Sequence, residues 1–158
     1  MAATTTLSTP KLLNLVTARY PDLTFIAGDY FAWQPETNTI TYQIDDSSFE
    51  ARLLHEIGHS ILGHTGYDRD IRLIGMERDA WQIAQSELAP LCNVTITSDH
   101  IEDDMDTYRD WLHSRSTCPT CSANGIQKTR TVYACISCND TWRVNEARRC
   151  ALRRYQTT

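Results

Sequence analysis

The residues best suited to chemistry lie in the segment His55-Glu56-Ile57-Gly58-His59. Two histidines four residues apart share one face of a helix and can bind one metal ion together. On a wheel of about 100° per residue, the apolar side chains of the surrounding segment collect on the opposite side. Glu56 lies beside the histidines, where its carboxylate can take a proton from a zinc-activated water. The segment predicts a hydrolytic zinc site, although the bare H-E-x-x-H pattern also occurs by chance.

A catalytic zinc site needs a third protein ligand and one open position. Glu77 is the candidate third ligand. Ala80 and Ala84 are small and allow the Glu77 helix to approach the histidine helix near Gly58. The alternative for Glu77 is a solvated acid on a surface helix. His64 falls about 160° from the histidine pair on the wheel, and the chain lacks the glycine and histidine of the metzincin pattern. We therefore expect His64 to be a helix-end residue rather than a ligand.

Four cysteines form a second candidate metal site, Cys118-x-x-Cys121 and Cys135-x-x-Cys138, with 13 residues between the pairs. Such pairs predict tight turns whose thiolates converge on one tetrahedral ion, and the segment between them suits a β-hairpin. This arrangement resembles a zinc ribbon, so we expect two zinc ions per chain, one catalytic and one structural. Cys92 and Cys150 are expected to be buried small residues, with a zinc-capping thiolate as the alternative for Cys92.

The remaining pattern predicts an α+β protein, with helices and short strands around the zinc site and a zinc-ribbon domain after them. Ser47 and Glu50 form a capping-box pattern at the start of the histidine helix, and Pro90 is expected to end the Glu77 helix. Helices are expected at 10–20, 47–62, 71–88, 98–113 and, as a basic tail, 142–155, and strands at 23–27, 30–34 and 39–44.

The histidine segment and the segment that begins at Glu77 together resemble the motifs of a known family. The histidine segment, followed by Glu77-Arg78-Asp79-Ala80-Trp81-Gln82-Ile83-Ala84 and then Leu88-Ala89-Pro90, resembles the ImmA/IrrE metallopeptidases, compact relatives of the thermolysin-type gluzincins. The resemblance covers roughly residues 10–92, with Ile83 in place of the usual phenylalanine. It implies His55, His59 and Glu77 as zinc ligands and Glu56 as the general base.

The resemblance also implies a function. It points to a zinc endopeptidase that cleaves a regulatory protein, often a helix-turn-helix repressor encoded beside it in a bacterium or phage. It further implies a fold in which a small twisted sheet packs with the zinc-site helices and its edge strand pairs with the substrate. The segment 39–44 is expected to be that edge strand. The sequence leaves three candidates for stabilising the oxyanion: Tyr42, Tyr67 and His64.

Charge divides the chain unevenly. Residues 1–113 have a net charge of −11 and residues 114–158 a net charge of +6, which together give −5. We therefore expect a peptidase domain at 1–113 and a basic zinc-ribbon domain at 114–158. The ribbon either binds nucleic acid, helped by Tyr133 and Trp142 as stacking residues, or docks on the acidic domain. The candidate nucleic-acid-binding residues are Lys128, Arg130, Arg143, Arg148, Arg149, Arg153 and Arg154.

The chain shows neither a signal peptide nor a membrane span of roughly 20 apolar residues, so a cytoplasmic location is expected. A rival function of a different class is a nucleic-acid-binding or scaffolding protein whose peptidase site is vestigial. The presence of His55, Glu56, His59 and Glu77 argues against that rival.

Overall fold

The computed structural model describes residues 8–146 and 154–156. The chain divides into two compact units, with bounds Met1–Thr65 plus Met76–Ile101 for the first and Gly66–Gly75 plus Glu102–Thr158 for the second. Helices and strands are both present, which confirms the α+β class. Neither unit is a single stretch of sequence, and the domain boundary after residue 113 stays a prediction.

Regular structure follows the expected order along most of the chain. The helices are α1 (Thr9–Arg19), α2 (Phe49–Ile61), α3 (Asp70–Ile83), a π-helix (Ala84–Leu88), α4 (Ala89–Leu91) and α5 (Ser98–Ser116). The strands are β1 (Thr24–Ala27), β2 (Ala32–Gln34), β3 (Thr39–Tyr42), β4 (Gly125–Thr129), β5 (Val132–Cys135), β6 (Thr141–Val144) and β7 (Arg154–Gln156). No helix in the described part of the chain is long and apolar enough to cross a membrane.

The sheet of the first unit has the strand order β1-β3-β2. β3 pairs in parallel with β1, Phe25 opposite Ile40, and antiparallel with β2, Trp33 opposite Ile40. All four residues of β3 are buried. The expectation that 39–44 is an edge strand is therefore wrong: β3 is the central strand, because partners on both sides satisfy its backbone, and β2 is an edge.

α2 packs its apolar side, which includes Phe49, Leu53 and Ile57, into the core of the first unit. It begins at Phe49 without a side-chain cap, so the predicted capping box of Ser47 and Glu50 is wrong. Asp46 Oδ1 instead accepts a hydrogen bond from the Ser48 N–H at 2.7 Å, which holds the turn that precedes the helix.

The end of α2 follows from a glycine. Gly63 has a φ of +63°, a left-handed conformation that favours glycine and commonly ends helices. Its N–H donates to Ser60 O, and the next N–H, of His64, donates to His59 O at 3.0 Å. The chain therefore turns back over the last turn of the helix instead of continuing along its axis.

The predicted stop at Pro90 is also wrong. After α3 the chain forms one π-helical turn, in which the Ala89 N–H donates to Ala84 O, and then the short helix α4, which contains Pro90. Proline lacks an N–H and its ring crowds the carbonyl of the preceding turn. The wider π-turn accommodates that ring, and the helix ends at Leu91.

The second unit contains a four-stranded antiparallel sheet in the order β4-β5-β6-β7. One face is buried and carries a core of Cys118, Tyr133, Cys135, Trp142 and Val144. The predicted helix at 142–155 is wrong where the structure describes it, because Thr141–Val144 and Arg154–Gln156 are strands. Burial of Trp142 and Val144 alternates with exposure of Arg143, which is the period of a strand and not of a helix.

Candidate functional site

Three metal-ligating side chains of the first unit converge on one point. His55 Nε2 lies 2.9 Å from Glu77 Oε2 and 3.1 Å from His59 Nε2, and His59 Nε2 lies 3.4 Å from Glu77 Oε2. The histidines come from successive turns of α2 and the glutamate from α3. All three residues are buried.

This donor set fits a metal ion. Two imidazole nitrogens and a carboxylate oxygen that face one another repel unless a proton or a cation lies between them. Ligand atoms about 2.0–2.1 Å from a tetrahedral zinc ion lie about 3.4 Å apart, close to the separations here. His55, His59 and Glu77 form one of the two groups among the described residues that can hold a metal ion.

Glu77 is charged in this surrounding. Burial works to raise the pKa of its carboxyl, but the hydrogen bonds with His55 and His59 outweigh burial and hold the pKa well below its usual range. A carboxylate that ionises this readily is suited to ligating a cation. α3 approaches α2 closely here, since Gly58 lies against the carbonyl of Ala80, three residues after Glu77.

His64 contacts the site, contrary to the expectation from the helical wheel. Its Nδ1 lies 2.8 Å from His59 Nδ1. The wheel assumed a helix continuing through residue 64, whereas α2 ends at Ile61 and the Gly63 turn folds His64 back. Burial, together with the charge of His59, lowers the pKa of His64, which favours the neutral ring.

The two histidine rings are oriented by different means. His59 presents Nε2 to the convergence point while its Nδ1 is hydrogen-bonded to His64. His55 stacks on the ring of Trp81, with centroids 4.2 Å apart and an interplanar angle of 26°. Its Nδ1 has no hydrogen-bond partner among the described residues. Trp81 follows Glu77 by one helical turn, so α3 supplies both a candidate ligand, Glu77, and a ring on which His55 stacks.

Glu56 lies next to the same cluster on α2. Its side chain is partly buried. Burial raises the pKa of its carboxyl, against the lowering effect of His55 and His59 and of a hydrogen bond from the backbone of Trp33. A carboxylate with a raised pKa is a better proton acceptor near neutral pH. Trp33 is in edge strand β2, so that edge borders the Glu56 carboxylate.

Trp33 makes a second contact with the site. Its indole Nε1–H donates a hydrogen bond to the backbone carbonyl of His64 at 3.0 Å. Trp33 of β2 thus lies near the Glu56 carboxylate and contacts the turn that carries His64. No local pattern indicates this contact, because it joins residues 31 positions apart.

The candidates for oxyanion stabilisation separate in the structure. His64 contacts His59 of the histidine–glutamate cluster. Tyr42 is buried and packs edge-on against Phe49, with ring centroids 5.8 Å apart. Tyr67 belongs to the second unit, where the Arg130 guanidinium lies 5.9 Å from the centre of its ring. Of the three, His64 is the one with a described contact to a residue of the histidine–glutamate cluster.

The four cysteines form the second group that can hold a metal ion. All four sulfurs lie within 4.8 Å of one another, with Cys118 Sγ 3.6 Å from Cys138 Sγ and Cys121 Sγ 3.5 Å from Cys135 Sγ. Sulfur atoms about 2.3 Å from a tetrahedral zinc ion lie about 3.8 Å apart. Hydrogen bonds from the backbone of Cys138 and Ser137 lower the pKa of the Cys135 thiol to about 7.

The two cysteine turns have the same backbone construction. In one, the Ser122 N–H donates to Cys118 O and the Cys118 N–H to Ala123 O. In the other, the Asn139 N–H donates to Cys135 O and the Cys135 N–H to Asp140 O. Ser122 and Asn139 both have positive φ, 62° and 63°. Each turn therefore reverses the chain in the same way and points its two sulfurs inward.

A buried ionic network of the second unit was missed in the sequence. Arg115 Nε donates to Asp70 Oδ2 at 2.6 Å, and the Tyr133 hydroxyl donates to the same oxygen at 2.6 Å. The Arg115 guanidinium also donates to the carbonyls of Asn145 and Arg130. All charged groups of the network are thus paired. Burial, with the Asp70 hydrogen bond, raises the pKa of Tyr133.

The candidate nucleic-acid residues have different environments. Lys128 and Arg143 are exposed on β4 and β6. Arg130 pairs with Glu146 at 2.9 Å, and Arg154 donates to the carbonyl of Thr117 at 2.6 Å. Arg148, Arg149 and Arg153 lie outside the described residues, as does Cys150.

The two predicted base-stacking residues and Cys92 are all buried. Tyr133 and Trp142 cannot stack with bases as predicted, because both are buried and their rings stack on each other. Cys92 is buried, as expected, and burial raises the pKa of its thiol. It is not part of the histidine–glutamate group.

Comparisons of the chain with protein-family models, with curated proteins and with solved structures found no match.

Proposed function

We propose that the chain is a zinc-dependent endopeptidase whose zinc is held by His55, His59 and Glu77. The observation that carries the proposal is the convergence of these three ligand atoms within 3.4 Å of one another, beside the Glu56 carboxylate. Three protein ligands leave a fourth tetrahedral position open, which is the mark of a catalytic rather than a structural zinc site.

A zinc ion bound there would supply Lewis-acid chemistry and lower the pKa of a bound water to about 7. Glu56 would take a proton from the attacking water and pass it to the amine of the departing product. His64 would hold the His59 ring, by accepting the Nδ1–H, in the orientation that presents Nε2 to the metal. His64 is therefore a positioning residue.

The edge of β2 suits an extended peptide. Trp33 of β2 lies near the Glu56 carboxylate, and its indole Nε1–H donates to the backbone carbonyl of His64. β2 pairs with β3 on one side, and its other side has no strand partner in the described sheet. A substrate strand added there would lie beside the general base. We therefore assign to β2 the substrate-binding role that was expected of 39–44.

The family and the substrate class are part of the proposal. The motifs around His55 and Glu77 resemble those of ImmA/IrrE metallopeptidases, which supports a cytoplasmic regulatory protein, such as a helix-turn-helix repressor, as the substrate. The four-cysteine site with its antiparallel strands resembles a zinc ribbon, and we propose that it holds a second, structural zinc ion. The closed set of four thiolates leaves that ion no position for a substrate.

The alternative is a binding or scaffolding protein with a vestigial peptidase site. Metal binding alone does not distinguish a peptidase from a scaffolding protein, because a vestigial site can keep its metal ligands. The discriminating feature is Glu56, which is not a ligand. Its proximity to the cluster and its raised pKa favour catalysis.

The test is cleavage of a peptide library by the zinc-loaded protein, read by mass spectrometry. Wild type should cleave, and Glu56→Gln should lower the rate by about 10²–10⁴-fold, since the amide cannot accept a proton. Zinc content measured on the same samples should remain unchanged, because all three ligands are intact. Glu50→Gln, the same substitution at the start of the same helix, is the matched control and should cleave like wild type.

Two outcomes would contradict the proposal. Equal cleavage by wild type and Glu56→Gln would show that Glu56 is not the base. A wild-type protein that holds zinc at both sites yet leaves the library and co-expressed repressors intact would support the scaffolding alternative.

A further inference from the structure

The exposed face of the four-stranded sheet has a composition unlike that of its buried face. Burial alternates along β5 and β6, so Tyr133 and Trp142 point into the core while Val132 and Arg143 lie on the other face. Strand register places Thr129, Val132, Arg143 and Tyr155 in one row across all four strands. The row ends in an arginine and an aromatic ring, both exposed.

Arg143 and Tyr155 form a pair on this face. The guanidinium carbon of Arg143 lies 5.6 Å from the centre of the Tyr155 ring. Tyr155 is 42% exposed, a large value for an aromatic side chain. A shallow depression beside the pair is lined by Thr131, Asn145 and Glu146 as well as by the pair itself. The depression leaves room for a planar group against the ring, with amide, hydroxyl and carboxylate groups at its rim.

We propose that this face binds single-stranded nucleic acid, with a base stacked on Tyr155 beside Arg143 and the phosphates neutralised by Arg143 and Lys128. Aromatic side chains accept any base because each base has a π-face, and basic side chains along the groove follow the backbone. A duplex keeps its bases stacked inside and cannot use the ring, so the single strand is the form that fits.

Charge supports this occupant. Residues 114–158 carry a net charge of +6 on an acidic chain. Arg115 is buried against Asp70, Arg130 pairs with Glu146, and Arg154 donates to a carbonyl, so these three are engaged within the protein. For Arg143 and Lys128 no carboxylate lies within ion-pair distance among residues 8–146 and 154–156. The proposal therefore ranks Arg143 and Lys128 above Arg130 and Arg154 as phosphate contacts.

The acidic residue in the depression does not oppose the proposal. Glu146 is neutralised by Arg130 at 2.9 Å. Its second carboxylate oxygen can accept a hydrogen bond from a base amino group. Glu146 would therefore contact a base edge, whereas the phosphates would contact Arg143.

The experiment is a binding titration of the full-length, zinc-loaded protein with fluorescent oligo(dT) and oligo(U) of about 20 nucleotides, longer than the usual site of about 4–16. Each is measured at about 50 and 200 mM salt, where phosphate contacts make affinity salt-dependent. Heparin, a polyanion without bases, is the third probe. The variants are Tyr155→Leu, Tyr155→Phe and Arg143→Gln, with Arg109→Gln as a surface-arginine control that pairs with Glu102 and Asp106.

Wild type should bind at low salt, and a preference for DNA or RNA would identify the physiological strand. Tyr155→Leu should weaken oligonucleotide binding about tenfold and heparin binding little, while Tyr155→Phe, which keeps the ring, should bind normally. Arg143→Gln should weaken binding to all three probes and reduce the salt slope by about 0.7. Arg109→Gln should match wild type.

The proposal would be overturned by an absence of binding at low salt. It would equally be overturned if Tyr155→Leu and Arg143→Gln bound like wild type, or if Tyr155→Leu lost heparin and oligonucleotide binding to the same extent. Glu56→Gln protein should bind the oligonucleotides normally, because the two proposals depend on different residues. A protein that fails to cleave peptides could still bind nucleic acid, and a protein that fails to bind nucleic acid could still cleave peptides.

Discussion

Gly58 and Ala80 bring two helices into backbone contact at the histidine–glutamate site. A Cβ atom placed on Gly58 would lie 2.6 Å from the carbonyl oxygen of Ala80, closer than real contacts allow. Gly58 immediately precedes the candidate ligand His59, and Ala80 lies one turn after the candidate ligand Glu77. The distance between the helices at this point sets the distance between these two side chains.

Gly58→Ala should therefore disrupt the site. The opposing atom is backbone and cannot rotate away, so α2 and α3 must separate, at a cost of about 1–3 kcal/mol in the free energy of unfolding. Zinc content should fall from two equivalents to one. The matched control is Gly75→Ala in α3, where nothing outside the adjacent helix backbone lies within 4 Å of the added Cβ. That variant should keep both ions and be as stable as wild type or more so; equal behaviour of the two variants would contradict the argument.

His64 should affect metal affinity through His59. His64→Phe keeps a ring but removes the acceptor for the His59 Nδ1–H, and we expect about 10–100-fold weaker zinc binding at this site. His64→Asn, which keeps an acceptor, should recover part of the affinity. Zinc competition with a chelator gives the affinities, and thermal unfolding of the metal-free proteins serves as the control for folding. Equal zinc affinity in all three proteins would remove His64 from the site.

Metal content should reflect two independent ligand sets. Protein purified without added metal should hold about two equivalents of zinc by elemental analysis, and His55→Ala should hold about one. Cys121→Ser should also lose one equivalent, together with amide protection in β4–β6, because metal binding contributes to the folding of so small a unit. If wild-type protein held one equivalent of zinc and His55→Ala also held one, the histidine–glutamate cluster would not be a zinc site.

Tyr133→Phe tests the buried network. It removes the hydroxyl that donates to Asp70 Oδ2 and leaves the carboxylate with Arg115. Loss of a hydrogen bond to a charged group should cost about 1.5–3 kcal/mol. Hydrogen exchange of the second unit's strands measures the local loss of stability, and Tyr155→Phe, at an exposed tyrosine, should change it by less than about 0.5 kcal/mol. If Tyr133→Phe and Tyr155→Phe lowered the stability of these strands equally, the hydrogen bond from Tyr133 to Asp70 would have no stabilising role.

Cys92→Ala should leave peptidase activity and zinc content unchanged. The thiol is buried, and its raised pKa keeps it protonated at neutral pH, whereas a metal-capping sulfur must be a thiolate. Basal activity measured with and without the substitution decides the question. A marked rise in activity in Cys92→Ala would show that the thiol silences the zinc, which was the alternative in the sequence.

The local pattern of the sequence was sufficient to predict the two clusters of metal-ligating side chain types and most helices and strands. Spacing of four residues on a helix, C-x-x-C turns and alternating strands depend on neighbours within one or two turns, so His55 with His59 and the cysteine pairs can be recognised from the chain alone. The small residues Gly58 and Ala80 likewise indicated that two helices meet closely, and the structure shows their contact.

Tertiary structure decided what depends on distant parts of the chain. β3 lies between β1 and β2, which leaves β2 at an edge of the sheet. The alternation of apolar and polar residues within each strand does not indicate this strand order. A change of direction at Gly63 brings His64 onto His59, where a continuous helix would have carried it away. Burial on one sheet face removes Tyr133 and Trp142 from solvent and leaves Tyr155 exposed. Local spacing determines which residues share a face, but long-range pairing and packing determine which face is buried and what it meets.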